Sequence, residues 1–441
     1  MQRSSAIQTP KPTFREALRF WLKLGFISFG GPAGQIAIMH QFLVEQKKWI
    51  SNSRFMHGLN YCMVLPGPEA QQLATYIGWL LHGVRGGLAA GILFILPSVF
   101  ILLGLSIVYV TYGKIEWVAS LFYGLKPAVI AIVILALIKI GKKSLSTVFH
   151  YLVGAGSFIA IFFFNISFPV IILVSVLIGW IAQRTLPHLL KDVSRAEHTD
   201  DHEREYYLNA LSPPVTDGAS FGSAVLKTII AVTFGAIPIV LFVVTRSDSA
   251  FWMNLSAFFT KAALVTFGGA YAVLPYVAQE SVEKLNWLTE YQMIDGLALG
   301  ETTPGPLIMV LVFVGFMAAY HHGNSSIADG TLGLLTTAFY TFLPSFLFIF
   351  VGAPFVEMTK DNVNLRTILG IVTAGVVGVI LNLTIYLGKA VIFPNEFISP
   401  DWFALIWVVV SFIALYRFKL NMILWIGVSA LAGLTHYLLN G

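Results

Sequence analysis

Long apolar runs, rather than alternation, set the pattern of this chain. Thirteen stretches stand out, at roughly 16–39, 58–81, 87–110, 117–138, 147–166 and 168–186, then a lone 224–245, then 251–278, 292–320, 330–356, 367–392, 401–416 and 420–439. A helix rises about 1.5 Å per residue, so runs of this length match a hydrocarbon core ~30 Å thick. Strand-like alternation of the barrel kind is absent. The pattern predicts an all-α integral membrane protein with about thirteen segments arranged 6+1+6. Its expected divisions are a tail at 1–13, a first unit at 14–186, a polar linker at 187–223, a linking helix at 224–245 and a second unit at 251–441. The linker carries Lys191, Asp192, Arg195, Glu197, Asp200, Asp201, Glu203, Arg204 and Glu205 and reads as solvated.

The two units are repeats. A shift of 238 residues lays Lys23 on Lys261, Phe29-Gly30-Gly31 on Phe267-Gly268-Gly269 and Gln41 on Gln279. It also lays Val44-Glu45 on Val282-Glu283, Trp49 on Trp287, Gly58-Leu59 on Gly296-Leu297 and Pro66-Gly67-Pro68 on Pro304-Gly305-Pro306. That makes 13 identities in the 46 ungapped positions 23–68, well beyond coincidence. After a further shift of nine residues, Leu96-Pro97-Ser98 matches Leu343-Pro344-Ser345. If every segment crosses, seven crossings separate the starts of the units. If the first two segments of each unit are re-entrant, the number falls but stays odd. Either way the second unit is expected upside down, with 224–245 as the inverter, an arrangement familiar in secondary transporters.

Two kinds of break recur inside the apolar runs. Proline lacks an N–H and clashes with the preceding turn, so no undisturbed helix passes through Pro66-Gly67-Pro68 or Pro304-Gly305-Pro306. Glycine allows a sharp bend or a close approach to a ligand at Gly30, Gly31, Gly268 and Gly269. Backbone groups freed at membrane depth need protein or a wet cavity to satisfy them. Each unit is therefore expected to present a half-helix N-terminus, whose partial positive charge suits an anion. Lys23 and Lys261, six residues before the paired glycines, are candidate anion-binding cations; snorkelling to the interface is the simpler alternative. Glu69 and Glu301 flank the proline breaks at non-equivalent positions and are candidates for proton coupling. For Glu69, a helix-dipole role serves equally well. The Val-Glu-x-x-x-Trp spacing of Glu45 with Trp49 and of Glu283 with Trp287 reads as organising an interfacial stretch.

Composition agrees with a membrane setting. Apolar residues make up 57% and charged residues 11% of the 441, against about 25% charged in a soluble domain, and the mean hydropathy is +0.78. The single cysteine, Cys62, excludes an intrachain disulfide and reads as a small buried residue. A cleavable leader is not expected, because the chain is polar and basic up to Arg19. With a cytoplasmic N-terminus and every segment crossing, 18 basic residues fall inside and 6 outside, as cytoplasmic loops require. Arg85 then reads as an orientation determinant. Lys47, Lys48 and Arg54 fall outside and oppose the trend, a local sign that the first segment does not cross simply. A net charge of +5 suits basic loops better than nucleic-acid binding.

No phosphate-binding loop, His-Glu-x-x-His zinc signature or Gly-x-Ser-x-Gly elbow is present, so no catalytic residue, metal site or cofactor is expected. Over residues 14–440 the chain resembles the chromate ion transporter family in its long, two-domain form. The resemblance rests on Phe29-Gly30-Gly31-Pro32, Trp49, Leu65-Pro66-Gly67-Pro68 and Tyr76-Ile77-Gly78 in the first unit. In the second it rests on Phe267 to Pro275, Thr303-Pro304-Gly305-Pro306 and Phe313-Val314-Gly315. It implies efflux of chromate, with sulfate as a competitor, across a bacterial-type cytoplasmic membrane, driven by an ion gradient. Two departures bear on the substrate: Gln35 replaces a common histidine, and Ala270 replaces a third glycine. The alternatives are a sulfate-like anion importer or an anion channel. The expected partners are the oxyanion and the lipid bilayer, and a homodimer is compatible with such a carrier.

Overall fold

The computed structural model describes residues 9–29, 31–185, 205–209, 220–267, 269–356, 363–394 and 399–440. The described chain is helical. Seven helices are long and apolar enough to cross a membrane, and Val148–Phe164, Leu307–His322 and Trp402–Tyr416 are shorter apolar helices. Most of the expected segments appear within a few residues of their predicted bounds. Four do not run straight: 16–39, 58–81, 251–278 and 292–320 each break and fold back.

The first of these becomes α1 (Phe14–Ile27) and α2 (Gly31–His40), the latter continued by a π turn Gln41–Gln46. Phe20 stacks on Phe42 with ring centroids 4.0 Å apart, and Lys47 pairs with Glu16 at 2.9 Å, so α2 returns alongside α1. The second hairpin joins α3 (Asn52–Val64) to α4 (Glu69–Tyr112). Tyr61 and Tyr76 lie 6.0 Å apart across it. α4 itself reverses at His82 and Gly83, where Gly83 adopts φ +63°. Its second limb packs back on the first before running on as a long rod.

The same sequence of elements recurs 238 residues later. α9 (Ser249–Leu264) folds onto α10 (Ala270–Ala278) and its π turn Gln279–Lys284, and α11 (Glu290–Thr302) folds onto α12 (Val310–His322). Lys48 and Asn286, equivalent positions after the π turns, share φ +50°. Both tryptophans then donate their N–H back over the turn, Trp49 to Leu43 and Trp287 to Ser281, each at 2.8 Å. Between and after the hairpins run α5 (Glu116–Ser144), α6 (Val148–Phe164), α7 (Phe168–Thr185), α8 (Phe221–Thr245), α13 (Ile327–Val356), α14 (Val363–Ile392), α15 (Trp402–Tyr416) and α16 (Met422–Asn440).

The hairpins open at opposite ends of the bundle. His82 bonds the Pro12 carbonyl at 3.0 Å, which puts the mouths of the first two hairpins at the N-terminal end. α8 leads away from that end. Beyond it Arg246 meets Asp329 at 2.7 Å and His322 stacks on Phe251 at 3.9 Å, so the last two hairpins open at the far end. Two expectations change in consequence. Lys47, Lys48 and Arg54 lie at the N-terminal end, not opposite it, because the first segment doubles back at its break. Part of the linker is also packed rather than solvated. Lys48 pairs with Glu205, the Leu208 and Trp49 backbones bond at 3.0 Å, and Arg54 donates to the Asn209 carbonyl at 3.2 Å. The rest of the linker, 187–204 and 210–219, lies outside the described residues.

Small residues let the limbs of α4 meet. A Cβ on Gly86 would collide with the Gly78 carbonyl, whereas one on Gly104 would meet nothing within 4 Å. Gly86→Ala should therefore lower the stability of the detergent-purified protein by about 1–3 kcal/mol through overpacking. Gly104→Ala should leave its thermal melt unchanged or raise it slightly, since alanine favours a helix. Equal melts for both variants would refute the close crossing.

Candidate functional site

A broken helix leaves backbone donors and acceptors without partners, and at membrane depth water does not supply them. Here the two units supply each other. The Gly67 N–H donates to the Thr266 carbonyl at 2.7 Å, and the Gly305 N–H donates to the Ser28 carbonyl at 2.7 Å. Positions 67 and 305 are equivalent in the repeat, and so are 28 and 266. Each proline break is thus tied to the glycine break of the other unit. Gly67 has φ +126° and Gly305 φ +97°, while Gly31 and Gly269 have φ +71° and +98°. These are left-handed conformations in which a side chain is strained.

Two rods brace the breaks. The second limb of α4, from Gly83 to Tyr112, is about 45 Å long, and Ser98 lies near its middle. The Ser98 hydroxyl donates to the Pro304 carbonyl and would meet a Cβ on Gly305. Ser345 on α13 stands in the matching place, 2.6 Å from where a Cβ on Gly67 would be. The breaks are therefore level with the middle of the long helices. Two glutamines complete the frame. Gln35 donates to the Gly305 carbonyl at 2.5 Å and the Ser28 carbonyl at 3.3 Å, and Gln72 donates to the Pro66 carbonyl at 2.7 Å. The Ser28 and Ser345 hydroxyls and the Gln35 and Gln72 side-chain oxygens are buried with no hydrogen-bond partner among the described residues. Buried polar atoms without partners are rare in folded proteins, so this centre is unusually rich in unused hydrogen-bonding capacity.

The sequence-predicted residues separate into groups. Gly67 of the first proline break meets Thr266, and Gly305 of the second meets Ser28. Gly31 and Gly269 begin the helices that return from those tips. Gly30 and Gly268 lie outside the described residues. Glu69 occupies the first turn of α4, directly beside the break. Glu301 is buried, 7% exposed, and accepts from the Tyr271 hydroxyl at 2.6 Å. Lys23 and Lys261, by contrast, sit on exposed faces of α1 and α9, with the Lys261 ammonium 5.9 Å from the Tyr276 ring centroid.

Sequence reasoning missed Ser98, Ser345 and Gln72 as site residues, although Leu-Pro-Ser was matched in both units. It also left Lys126 unexplained. Lys126 lies 3.7 Å from buried Asp295 and over the Tyr291 ring, and the Tyr109 hydroxyl donates to Asp295 at 2.8 Å. No sequence spacing joins these residues; only the packing of α4, α5 and α11 does.

The chromate transporter family model matches residues 15–180 and 253–434. The chain belongs to the chromate transporter family. A chromate transport protein of Pseudomonas aeruginosa is 30% identical over 96% of this chain and 92% of its own length. One of Cupriavidus metallidurans is 28% identical over 86% of this chain and 84% of its own. An uncharacterized transporter of Methanocaldococcus jannaschii is 29% identical over 94% of the chain and 92% of its own. No solved structure matches the chain. Family and apolar helices together make it a multi-pass membrane protein, and both matched regions contain a pair of breaks.

The braced breaks make a graded test. Gly67→Ala and Gly305→Ala add backbone strain of about 1–3 kcal/mol and push a methyl group toward Ser345 or Ser98. Gly269→Ala adds strain alone, since nothing lies within 4 Å of its Cβ. Thermal unfolding should rank Gly269→Ala as the mildest of the three. Equal losses at all three positions would remove the serines from the account.

Proposed function

We propose that the chain is a secondary transporter that moves a small tetrahedral oxyanion, chromate foremost, out across the cytoplasmic membrane by alternating access between two inverted repeats. The cross-bonded breaks at mid-depth carry this reading. Four helices (α2, α4, α10 and α12) start at or just beyond the breaks, so partial positive charge gathers there without a fixed cation. The Ser28 and Ser345 hydroxyls and the second N–H of the Gln72 amide can replace part of an anion's hydration shell. A site of dipoles binds an anion yet lets it leave, as turnover requires.

In this reading α1–α2, α3–α4, α9–α10 and α11–α12 are re-entrant hairpins, the first two from the cytoplasmic side and the last two from outside. Residues 14–186 and 251–441 are the repeats and α8 is the inverter. The charge pattern supports the orientation. Lys11, Arg15, Arg19, Lys47, Lys48, Arg54, Arg85, Lys142, Lys143 and Arg184 fall at the N-terminal end, against Lys114, Arg246, Lys284 and Lys389 at the other. The former conflict over Lys47, Lys48 and Arg54 disappears.

Export needs little help. A dianion leaving along a potential of about 100 mV, inside negative, gains roughly 4.6 kcal/mol at about 2.3 per charge, enough to support a gradient near 10³. Glu301 would add proton coupling. Ionised, it opposes a second negative charge nearby; protonated, it does not. The cross-bonded tips close the middle of the bundle, which fits a gated carrier better than an open channel.

Two experiments test these claims. Labelled chromate should accumulate in inside-out vesicles in response to an inside-positive potential, with saturation. Glu301→Gln should flatten the dependence of that flux on pH. Uptake confined to right-side-out vesicles would reverse the direction, and sulfate flux without chromate flux would change the substrate. An unaltered pH profile would leave Glu301 as a structural partner of Tyr271. For topology, single cysteines at the equivalent positions Gln46 and Lys284 in a Cys62→Ala background should react with an impermeant thiol reagent from opposite sides, Gln46 from the cytoplasm. Labelling of both from one side would exclude inversion.

A further inference from the structure

A second feature lies well away from the breaks. At the N-terminal end a cavity of about 700 Å³ opens between the start of α1, the reversal of α4 and the first turns of α8. Three cations from three separate parts of the chain line it: Lys11, Arg85 and Lys227. Among the described residues no acidic residue lines it and no carboxylate pairs with any of the three. Lys227 is partly held, donating to the Phe350 carbonyl at 2.9 Å. The inner wall adds His82, whose Nδ1 is buried without a partner among the described residues. Three cations at one concavity repel each other, and a bound anion would relieve that repulsion.

The position of the cavity decides which anion. Its inner wall is closed by Trp79, Leu80 and Leu81, all buried. The first limb of α4, Glu69 to Leu81, separates it from the proline break by about 20 Å. Outward, it adjoins α8, whose most apolar stretch is only 11% buried. Leu226, Ile229 and Ile230 are exposed just beyond Lys227, and Phe14 and Val84 are exposed at the rim. A charged pocket bordered by lipid-facing apolar surface matches an amphiphile with an anionic head, and basic pockets between membrane helices on the cytoplasmic side hold such headgroups.

We propose that this cavity binds the headgroup phosphate of an acidic phospholipid, with its acyl chains lying along α8. The lipid would tie α8, the segment between the two units, to the reversal of α4. The site is independent of the transported substrate.

The full-length protein in phosphatidylcholine nanodiscs, doped with spin-labelled phosphatidylglycerol, provides the test. The immobilised fraction of the label measures binding. Lys11→Gln or Lys227→Gln should weaken the preference for phosphatidylglycerol about fivefold each, and the triple change Lys11→Gln, Arg85→Gln and Lys227→Gln about a hundredfold. Arg85→Lys should keep it. Inorganic phosphate or sulfate at millimolar concentration should not displace the label. If the triple variant or both single variants retain the label as the wild type does, the site is refuted. If phosphate or sulfate displaces the label, the pocket is a free-anion site and the lipid assignment fails.

Discussion

The fold depends on one constraint: a peptide group taken out of water must find another partner. Four breaks in apolar helices would leave N–H and carbonyl groups bare at mid-depth. The bonds from Gly67 to Thr266 and from Gly305 to Ser28 settle part of this demand, and they do so between units rather than within them. Ser98 on the α4 rod and the two glutamines settle more of it. What is left over includes the Ser28 and Ser345 hydroxyls, which have no partner among the described residues and can still donate.

The scaffold is symmetric, but the chemistry laid on it is not. Glu301 and Tyr271 form a buried pair in the second unit, where the equivalent positions of the first hold Met63 and Ala33. Asp295 with Lys126 and Tyr109 has His57 opposite Asp295 in the repeat. Gln35 bridges two backbones in the first unit, where the second has Val273. Under the proposed alternating-access reading, symmetric halves would exchange conformations, while coupling to a gradient would require that the two faces differ. The unmatched pairs provide such a difference at little cost to the shared backbone geometry.

Much of this was legible in the residues. The shift of 238 pairs the π turns Gln41–Gln46 and Gln279–Lys284 and the left-handed Lys48 and Asn286. The breaks were visible because proline and glycine act locally. The direction of the chain after each break was not visible. Hydrophobicity reports whether a residue is comfortable in lipid or in a protein core, and it is blind to whether a helix continues or reverses. Only the misplaced charges of Lys47, Lys48 and Arg54 hinted at reversal. Lys23 and Lys261 show the opposite failure. They repeat in sequence, but repetition preserves an outward-facing residue as faithfully as an inward one. Ser98 and Ser345 carried too weak a chemical signature to be singled out before the packing set them beside Gly305 and Gly67.

The reciprocal bonds also impose an order in time. Thr266 lies 199 residues after Gly67, and Gly305 lies 277 after Ser28. A ribosome adding about 5–20 residues per second needs roughly 10–40 s to cover the first interval. Throughout that wait the tip of the second hairpin has no cross-unit partner. The bonding of the early break is therefore completed only after the late hairpins have been made.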